Sequence, residues 1–218
     1  RIIDLENEPK KLDPFEIEDS VTKIRVAHGG TIVIGTHTGN IHGHERLGEH
    51  RWTQNIGGGC DHLDMSADGT IIGCIDGARN LHIFNENGLL RGRFSSGELV
   101  LLVIARDGTG VAVADDSGNV HVLDSSGNLR WSRSAESEDG ETVSAMCFMH
   151  DGSLLLCREV LGITPSEIAQ IAIERWSSTG ERTHSEEIDS RSVCLKPDRM
   201  GALSGHFDGT VMMLDSDL

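Results

Sequence analysis

Several residue classes are scarce or missing in this sequence. Its 218 residues include no tyrosine, three tryptophans, five phenylalanines and four prolines. The longest uninterrupted apolar run, residues 99–105, is far shorter than the ~20 residues that a membrane-spanning helix needs. Residues 1–16 are charged and do not resemble an export signal. These absences predict a soluble globular chain with no membrane span.

Positive charge is also scarce. The chain has 35 acidic and 19 basic residues and a formal net charge of −16. Such a surface repels a phosphate backbone unless a basic patch overrides it, and the sequence contains no such patch, so we predict no nucleic-acid partner.

Cysteine usage bears on the compartment. The five cysteines are an odd number and contain no CxxC pair, which argues against a disulfide framework and favours a reducing environment. We therefore predict a cytoplasmic location, with the periplasm as the alternative if an export signal precedes Arg1. The cysteines are Cys60, Cys74, Cys147, Cys157 and Cys194.

The sequence does contain an internal repeat. An Asn-x-His triplet begins at Asn40, Asn80 and Asn119, with steps of 40 and 39 residues. A Gly-Gly or Asp-Gly pair precedes an apolar run in four copies, and Pro197 with Asp198 takes its place in a fifth. Apolar residues alternate before each of these turns, which is the pattern of a strand entering a hairpin.

Each copy predicts four short antiparallel strands in about 40 residues, the length of one propeller blade. We therefore predict an all-β fold, a β-propeller of about five four-stranded antiparallel blades in a single domain over residues 1–218. The approximate blade bounds are 17–56, 57–96, 97–140, 141–188 and 189–218.

The last copy ends after its third strand. Residues 1–6 alternate enough to supply the missing strand and so close a ring of five blades. The alternative is that the chain is a piece of a larger ring of roughly six to eight blades, with the rest on a longer chain or in an oligomer.

Two stretches resemble known propeller families. The sequence GNVHVLDSSGNLRW at 118–131 resembles the repeat of quinoprotein-like (PQQ-like) propellers, and DGTVMMLD at 208–215 resembles a WD-repeat blade. The resemblance covers the chain from residue 17 onward. It implies a propeller of the non-enzymatic type that mediates protein–protein interaction.

In the quinoprotein-like family a glycine and a tryptophan join neighbouring blades. The resemblance implies this blade-locking role for Gly48 with Trp52 and for Gly127 with Trp131. The tryptophan position holds Gly92 and His184 in two other copies. This degeneracy counts against a cofactor-dependent dehydrogenase, so no cofactor is predicted.

The histidines invite a metal hypothesis. His42, His82 and His121 share one column of the repeat, and equivalent positions in different blades stand too far apart to share an ion whose bonds are ~2.0–2.1 Å long. His42 and His44 share a strand face, but a zinc site needs three or four ligands. No third ligand is indicated in the sequence, so we predict no metal site and hydrogen bonds to neighbouring turns instead.

Two further candidates also favour structural roles. Cys60 and His62 share a strand face, but no orienting group or oxyanion donor accompanies them. The acidic run at 136–141 fits a solvated connection between blades. We therefore predict no catalytic residues.

The fourth copy departs most from the repeat. Residues 158–170 lengthen the connection between its second and third strands, and loops that interrupt a regular scaffold often carry function. We predict that Ile163, Thr164 and Pro165 contact a protein partner.

The leading hypothesis is a non-enzymatic scaffold, and two alternatives stand beside it. Some five-bladed propellers are glycoside-active, which requires two carboxylates ~5–9.5 Å apart at the central channel. The first-strand positions are mostly apolar, with Asp64 as the acidic exception. The other alternative is an accessory propeller of outer-membrane assembly in the periplasm.

Overall fold

The strands follow the repeat. The structure, a computed structural model, describes residues 15–162, 164 and 167–215, and these form nineteen strands and no helix. Consecutive strands pair antiparallel into five sheets, named here blades 1 to 5. Blade 1 contains β1 (Val21–Val26), β2 (Ile32–Thr36), β3 (Asn40–His44) and β4 (His50–Asn55). Blade 2 contains β5 (Cys60–Met65), β6 (Ile71–Asp76), β7 (Leu81–Asn85) and β8 (Leu90–Phe94).

The remaining blades continue in the same order. Blade 3 contains β9 (Leu99–Ile104), β10 (Val111–Asp115), β11 (Val120–Leu123) and β12 (Leu129–Arg133). Blade 4 contains β13 (Glu141–Phe148), β14 (Leu154–Leu161), β15 (Ile168–Trp176) and β16 (Arg182–Glu187). Blade 5 contains β17 (Ser192–Asp198), β18 (Gly201–His206) and β19 (Val211–Asp215).

Second strands are among the most buried of each blade, and in blades 2 to 4 the fourth strand is the least buried. Every residue of β6 and β10 is buried, whereas every residue of β16 is exposed. A strand covered on both faces needs apolar side chains on both, which explains the nearly continuous apolar runs in the second strands. The sheets pack face to face, and each seam between successive blades encloses one apolar cluster.

The Asp-Gly pairs form the hairpin turns that the repeat predicts. The carboxylate of Asp68 accepts hydrogen bonds from the N–H and the hydroxyl of Thr70, at 3.0 and 2.9 Å. Gly69 has a φ of 80°, in the region that side chains disfavour. The bond from the backbone N–H of Thr70 is the main reason that the pKa of Asp68 lies below its ordinary value. Asp107 makes the same two bonds with Thr109.

The first strands of successive blades pack side by side around an axis, β1 with β5, β5 with β9, β9 with β13 and β13 with β17. The described strands β17 and β1 do not pack together in this way. The fifth sheet has three strands among the described residues, and Val211 and Met213 on β19 are 72% and 74% exposed. The predicted closing strand at residues 1–6 lies outside the described residues.

Candidate functional site

The first strands of all five blades face one cavity of about 270 Å³ at the axis. Among the described residues lining it, Asp64 is the one carboxylate. Its Oδ1 lies 3.1 Å from Nε of Arg25 in blade 1, and its Oδ2 accepts the N–H of Ile104 in blade 3 at 2.8 Å. Asp64 thus links three blades. A glycoside-cleaving pair needs a second carboxylate nearby, so this cavity lends that alternative no support.

The insertion in the fourth copy forms a hairpin arm, residues 158–170, on blade 4. Strands β14 and β15 stay paired up to Leu161 and Ile168, beyond the length of their counterparts in blades 1 to 3. The N–H of Leu161 donates to the carbonyl of Gly140 at 3.0 Å. This bond ties the arm to the connection between blades 3 and 4, while Ile168 remains 40% exposed.

The predicted partner contacts lie at the tip of this hairpin arm. Thr164 is exposed, and its carbonyl accepts the N–H of Glu167 at 2.9 Å. Ile163 and Pro165 lie outside the described residues. Their role as partner contacts stays a prediction.

Two tryptophans reach from one blade to the next. The indole N–H of Trp52 donates to the carbonyl of Glu86 at 2.9 Å, and its ring lies against Gly88 in blade 2. The indole N–H of Trp131 donates to the carbonyl of Ser178 at 3.2 Å in blade 4. Each tryptophan therefore contacts the turn before the fourth strand of the following blade.

Gly48 and Gly127 occupy this same turn in their own blades, with φ of 92° and 83°. A side chain at Gly48 would collide with the ring of Phe15, and one at Gly127 would press on the backbone of Gly92. Each turn glycine therefore accommodates a residue that precedes its blade. The family resemblance pairs glycine and tryptophan within a copy, whereas the structure pairs a tryptophan with the glycine of the next blade.

A buried cluster of four charges joins blades 3 and 4, and the sequence patterns did not reveal it. The side chains of Arg133, Arg158, Glu141 and Glu174 are at most 10% exposed. Arg133 pairs with Glu141, and Nε of Arg158 lies 2.9 Å from Oε1 of Glu174. The attraction between opposite charges at these distances offsets the free-energy cost of removing each charge from water. The prediction of a solvated acidic run is wrong for Glu141, whose side chain is fully buried.

The cysteines show no sign of nucleophilic chemistry. All five are free thiols, and Sγ of Cys60 contacts the carbonyl of His62 at 3.4 Å rather than its ring. Burial raises the pKa of Cys60 to about 12, and burial likewise raises the pKa of Cys147 to about 12. Nucleophilic thiols require a lowered pKa, so the buried Cys60 and Cys147 act as packing groups.

The column histidines make their hydrogen bonds within their own blades, not to neighbouring turns as the sequence suggested. Nε2 of His82 lies 2.8 Å from Oδ2 of Asp76. Nδ1 of His121 lies 3.0 Å from the hydroxyl of Ser132. The difference arises because a third-strand side chain meets the second or the fourth strand of its own blade across the ladder before it reaches another blade.

Blade 1 brings His50 to the two histidines that share a strand face. The ring centroids are 6.2 Å apart for His42 and His44, 6.3 Å for His42 and His50, and 5.3 Å for His44 and His50. Thr53 Oγ1 contacts Nδ1 of His42 at 3.0 Å and Nε2 of His50 at 2.8 Å. Nδ1 of His44 lies 3.0 Å from the carbonyl of Gly48.

Burial, with smaller contributions from the neighbouring His44 and His50 rings, lowers the pKa of His42, and Asp19 opposes this shift. As the side chains stand, no group of three or more His, Cys, Asp or Glu among the described residues is placed to hold a metal ion. The sequence patterns indicate no third ligand beside His42 and His44, and the structure places the ring of a third histidine, His50, next to both. A search for a histidine on the adjoining strand would have found His50, which pairs with His44.

No protein-family model matches the chain, and no curated protein matches it. By contrast, 1385 chains of solved structures match, one of them from a crystal structure of the mitotic checkpoint complex. That chain is a WD-repeat β-propeller, 16% identical with a TM-score of 0.64, and the match covers 88% of the present chain and 59% of that chain. The chain therefore has an all-β, propeller-like fold.

Such a likeness establishes the fold and not the function, because this architecture hosts many unrelated functions. None of the described residues forms a helix with the length and hydropathy needed to cross a membrane.

Proposed function

We propose that this chain is a non-enzymatic propeller scaffold that binds a protein partner through the hairpin arm and the adjoining acidic connection. The observation that carries the proposal is the arm itself, because it is the largest departure from an otherwise repeated blade. A hydrogen bond from the N–H of Leu161 to the carbonyl of Gly140 ties the arm to the connection between blades 3 and 4. Ile168, which pairs with Leu161, and Thr164 are exposed. Exposed loops that interrupt a regular scaffold often carry recognition.

Charge around the arm indicates the chemistry of the partner. Glu136, Glu138 and Asp139 are exposed on the connection that the arm contacts, and Glu167 is exposed at its tip. Complementary charge speeds association and selects among partners. We expect the partner to present an apolar contact for Ile168 surrounded by basic residues. The affinity should fall as the salt concentration rises.

Several predictions from the sequence belong to this proposal. Ile163, Thr164 and Pro165 are proposed as partner contacts, and Gly48, Trp52, Gly127 and Trp131 as the residues that hold the blades together. We also propose a relationship to the quinoprotein-like propellers, a cytoplasmic location and a single propeller domain over residues 1–218.

Site-specific photocrosslinking in cells tests the binding proposal. A photoreactive amino acid at Thr164 is expected to form adducts with one discrete protein. At Ser117, in the equivalent turn of blade 3, the same probe is expected to form none. Adducts of equal yield at both positions, or at neither, would contradict the assignment of the arm.

An activity assay tests the enzyme alternative separately. The purified chain is expected to leave a panel of aryl glycosides uncleaved. Turnover that Asp64→Asn abolishes, with an unchanged circular dichroism spectrum, would overturn the scaffold proposal.

A further inference from the structure

The outer half of blade 1 differs from those of blades 2 and 3 at one cross-strand pair. Register places His44 opposite His50 in blade 1. The same place in the other two blades holds large apolar side chains, Phe84 with Leu90 and Leu123 with Leu129. Blade 1 thus has two imidazoles where its neighbours have an apolar contact.

The column histidine adds a third ring to this pair. His42 precedes His44 by two residues on β3, so both side chains project from one face of the sheet. The three ring centroids lie 5.3 to 6.3 Å apart. Three imidazoles on a tetrahedral ion, with bonds of about 2.0–2.1 Å, have centroids roughly 5 Å apart. The observed rings are therefore within about one side-chain rotation of that arrangement.

The hydrogen bonds leave ligand nitrogens free. The carbonyl of Gly48 can only accept, so Nδ1 of His44 must carry the proton. In the neutral ring, Nε2 of His44 then holds a lone pair, and this atom is buried with no hydrogen-bond partner. Nε2 of His42 is likewise buried without a partner, while its Nδ1 contacts Thr53.

Ten buried side-chain atoms of the described residues have no hydrogen-bond partner, and Nε2 of His121 and of His206 are among them. Nε2 of His42 and of His44 differ from these because they lie in a group of three neighbouring imidazole rings, where a shared ion would explain both. Metal-binding histidines characteristically bond their second nitrogen to a carbonyl or another polar group, which fixes the ring orientation. His44 with Gly48 and His42 with Thr53 show this arrangement. The third ring, His50, is the most exposed of the three and the freest to turn.

We propose that His42, His44 and His50 bind one divalent transition-metal ion of the zinc class, with the fourth position open to water or to another ligand. On binding, His50 leaves Thr53 and turns toward the ion, and Thr53 keeps its contact with His42. The ring of Phe15 stacks on His44 at 4.8 Å and covers that side of the site. Imidazole ligands suit zinc, copper, nickel and cobalt rather than magnesium or calcium.

Calorimetric titration of the untagged chain with zinc chloride tests this site. The wild-type chain is expected to bind one equivalent with a micromolar or tighter dissociation constant. The double variant His44→Leu with His50→Leu takes on the residues found in blade 3, and it should bind at least about 100-fold more weakly, because loss of an outer hydrogen bond alone costs about 10–100-fold. Thr53→Val should weaken binding by that smaller factor.

His121→Leu is the matched control. His121 occupies the same repeat position as His42 and likewise contacts a hydroxyl group, that of Ser132. The neighbouring cross-strand pair, however, is Leu123 with Leu129 instead of two histidines. This variant should bind zinc as the wild type does.

His50→Ala keeps the test informative if the double variant folds poorly, because His50 is exposed. Cobalt(II) should give the strong visible absorption of a tetrahedral complex in the wild type and not in His50→Ala. The proposal is overturned if the wild type shows no saturable binding of one equivalent, or if His50→Ala and the double variant bind as tightly as the wild type.

Discussion

Blades 1 and 3 have the same framework and different outer halves. Both begin their third strand with an Asn-x-His triplet, and both send a tryptophan, Trp52 or Trp131, to a carbonyl in the next blade. The column histidine of blade 3 lies beside a leucine pair, whereas that of blade 1 lies beside two more histidines. Repeated positions thus hold the blades together, and function is to be sought at positions where one blade departs from the others.

The seam between blades 1 and 2 also differs from the seam between blades 3 and 4. Both seams enclose an apolar cluster, but the seam between blades 3 and 4 also contains the buried charge cluster. Trp52 belongs to the apolar cluster between blades 1 and 2, whereas Trp131 packs at the edge of its own. The following predictions separate these contributions, in order of expected effect.

Glu174→Ala is expected to have the largest effect. Glu174 lies between Arg158 and Arg133, at 2.9 and 3.7 Å, and it accepts the indole N–H of Trp176. Its removal leaves buried arginine charge uncompensated, which costs about 3–5 kcal/mol of unfolding free energy. Urea unfolding measures this loss. Glu186→Ala, on exposed β16, should stay within about 0.5 kcal/mol of the wild type.

Trp52→Ala should destabilise the chain more than Trp131→Ala. Trp52 is 9% exposed and packs in the apolar seam, so its removal should cost about 3–5 kcal/mol. Trp131 is partly exposed, and the charge cluster still holds its seam, so the cost should be smaller. Equal losses in urea unfolding would contradict this ranking of the two tryptophans.

Replacing His44 and His50 by leucine should stabilise the chain in the presence of EDTA. Both ring nitrogens of His44 lose their hydrogen bonds to water when the chain folds. Nδ1 gains the carbonyl of Gly48 in return, but Nε2 gains no partner. Its removal should raise the unfolding free energy by about 1 kcal/mol. A decrease of that size in urea unfolding would mean that the histidine pair is itself a structural contact.

The smallest predicted effect is a dependence of stability on pH. Burial lowers the pKa of His62 and of His121 below the ordinary value of 6.5, and nearby Asp115 opposes the shift at His121. The unfolded chain then binds more protons, so stability is complete above about pH 6.5 and declines as pH falls toward the folded pKa. The variant His62→Gln with His121→Gln should show a flatter profile between pH 7.5 and 5 in urea unfolding. An unchanged slope would contradict this assignment.

The all-β propeller fold could be predicted because its signals are local. Apolar alternation and Asp-Gly turns predict each hairpin, and the extra residues at 158–170 predict a longer hairpin in blade 4. The confirmed part is the all-β, propeller-like architecture of antiparallel sheets. A four-stranded fifth blade and ring closure stay predictions.

The candidate site and the charge cluster could not be predicted in the same way. His50 faces His44 across a bulge after Gly43, and the same bulge recurs in blades 2 to 4. The proximity of the two rings therefore follows from the register between two strands and not from residue spacing within either strand. Glu141, Arg158 and Glu174 come from three strands of blade 4 and meet Arg133 across a seam. Their pairing depends on how two sheets pack, which no local pattern encodes.

Thermal unfolding with and without zinc tests the central claim, that departures from the repeat carry the specific properties of this protein. Zinc at about 100 times its dissociation constant should stabilise the wild type by about 2.7 kcal/mol, or roughly 5–10 °C in Tm. The variant His44→Leu with His50→Leu, whose blade 1 resembles blade 3, should show no shift. Equal shifts in the two proteins, or none in either, would contradict the account.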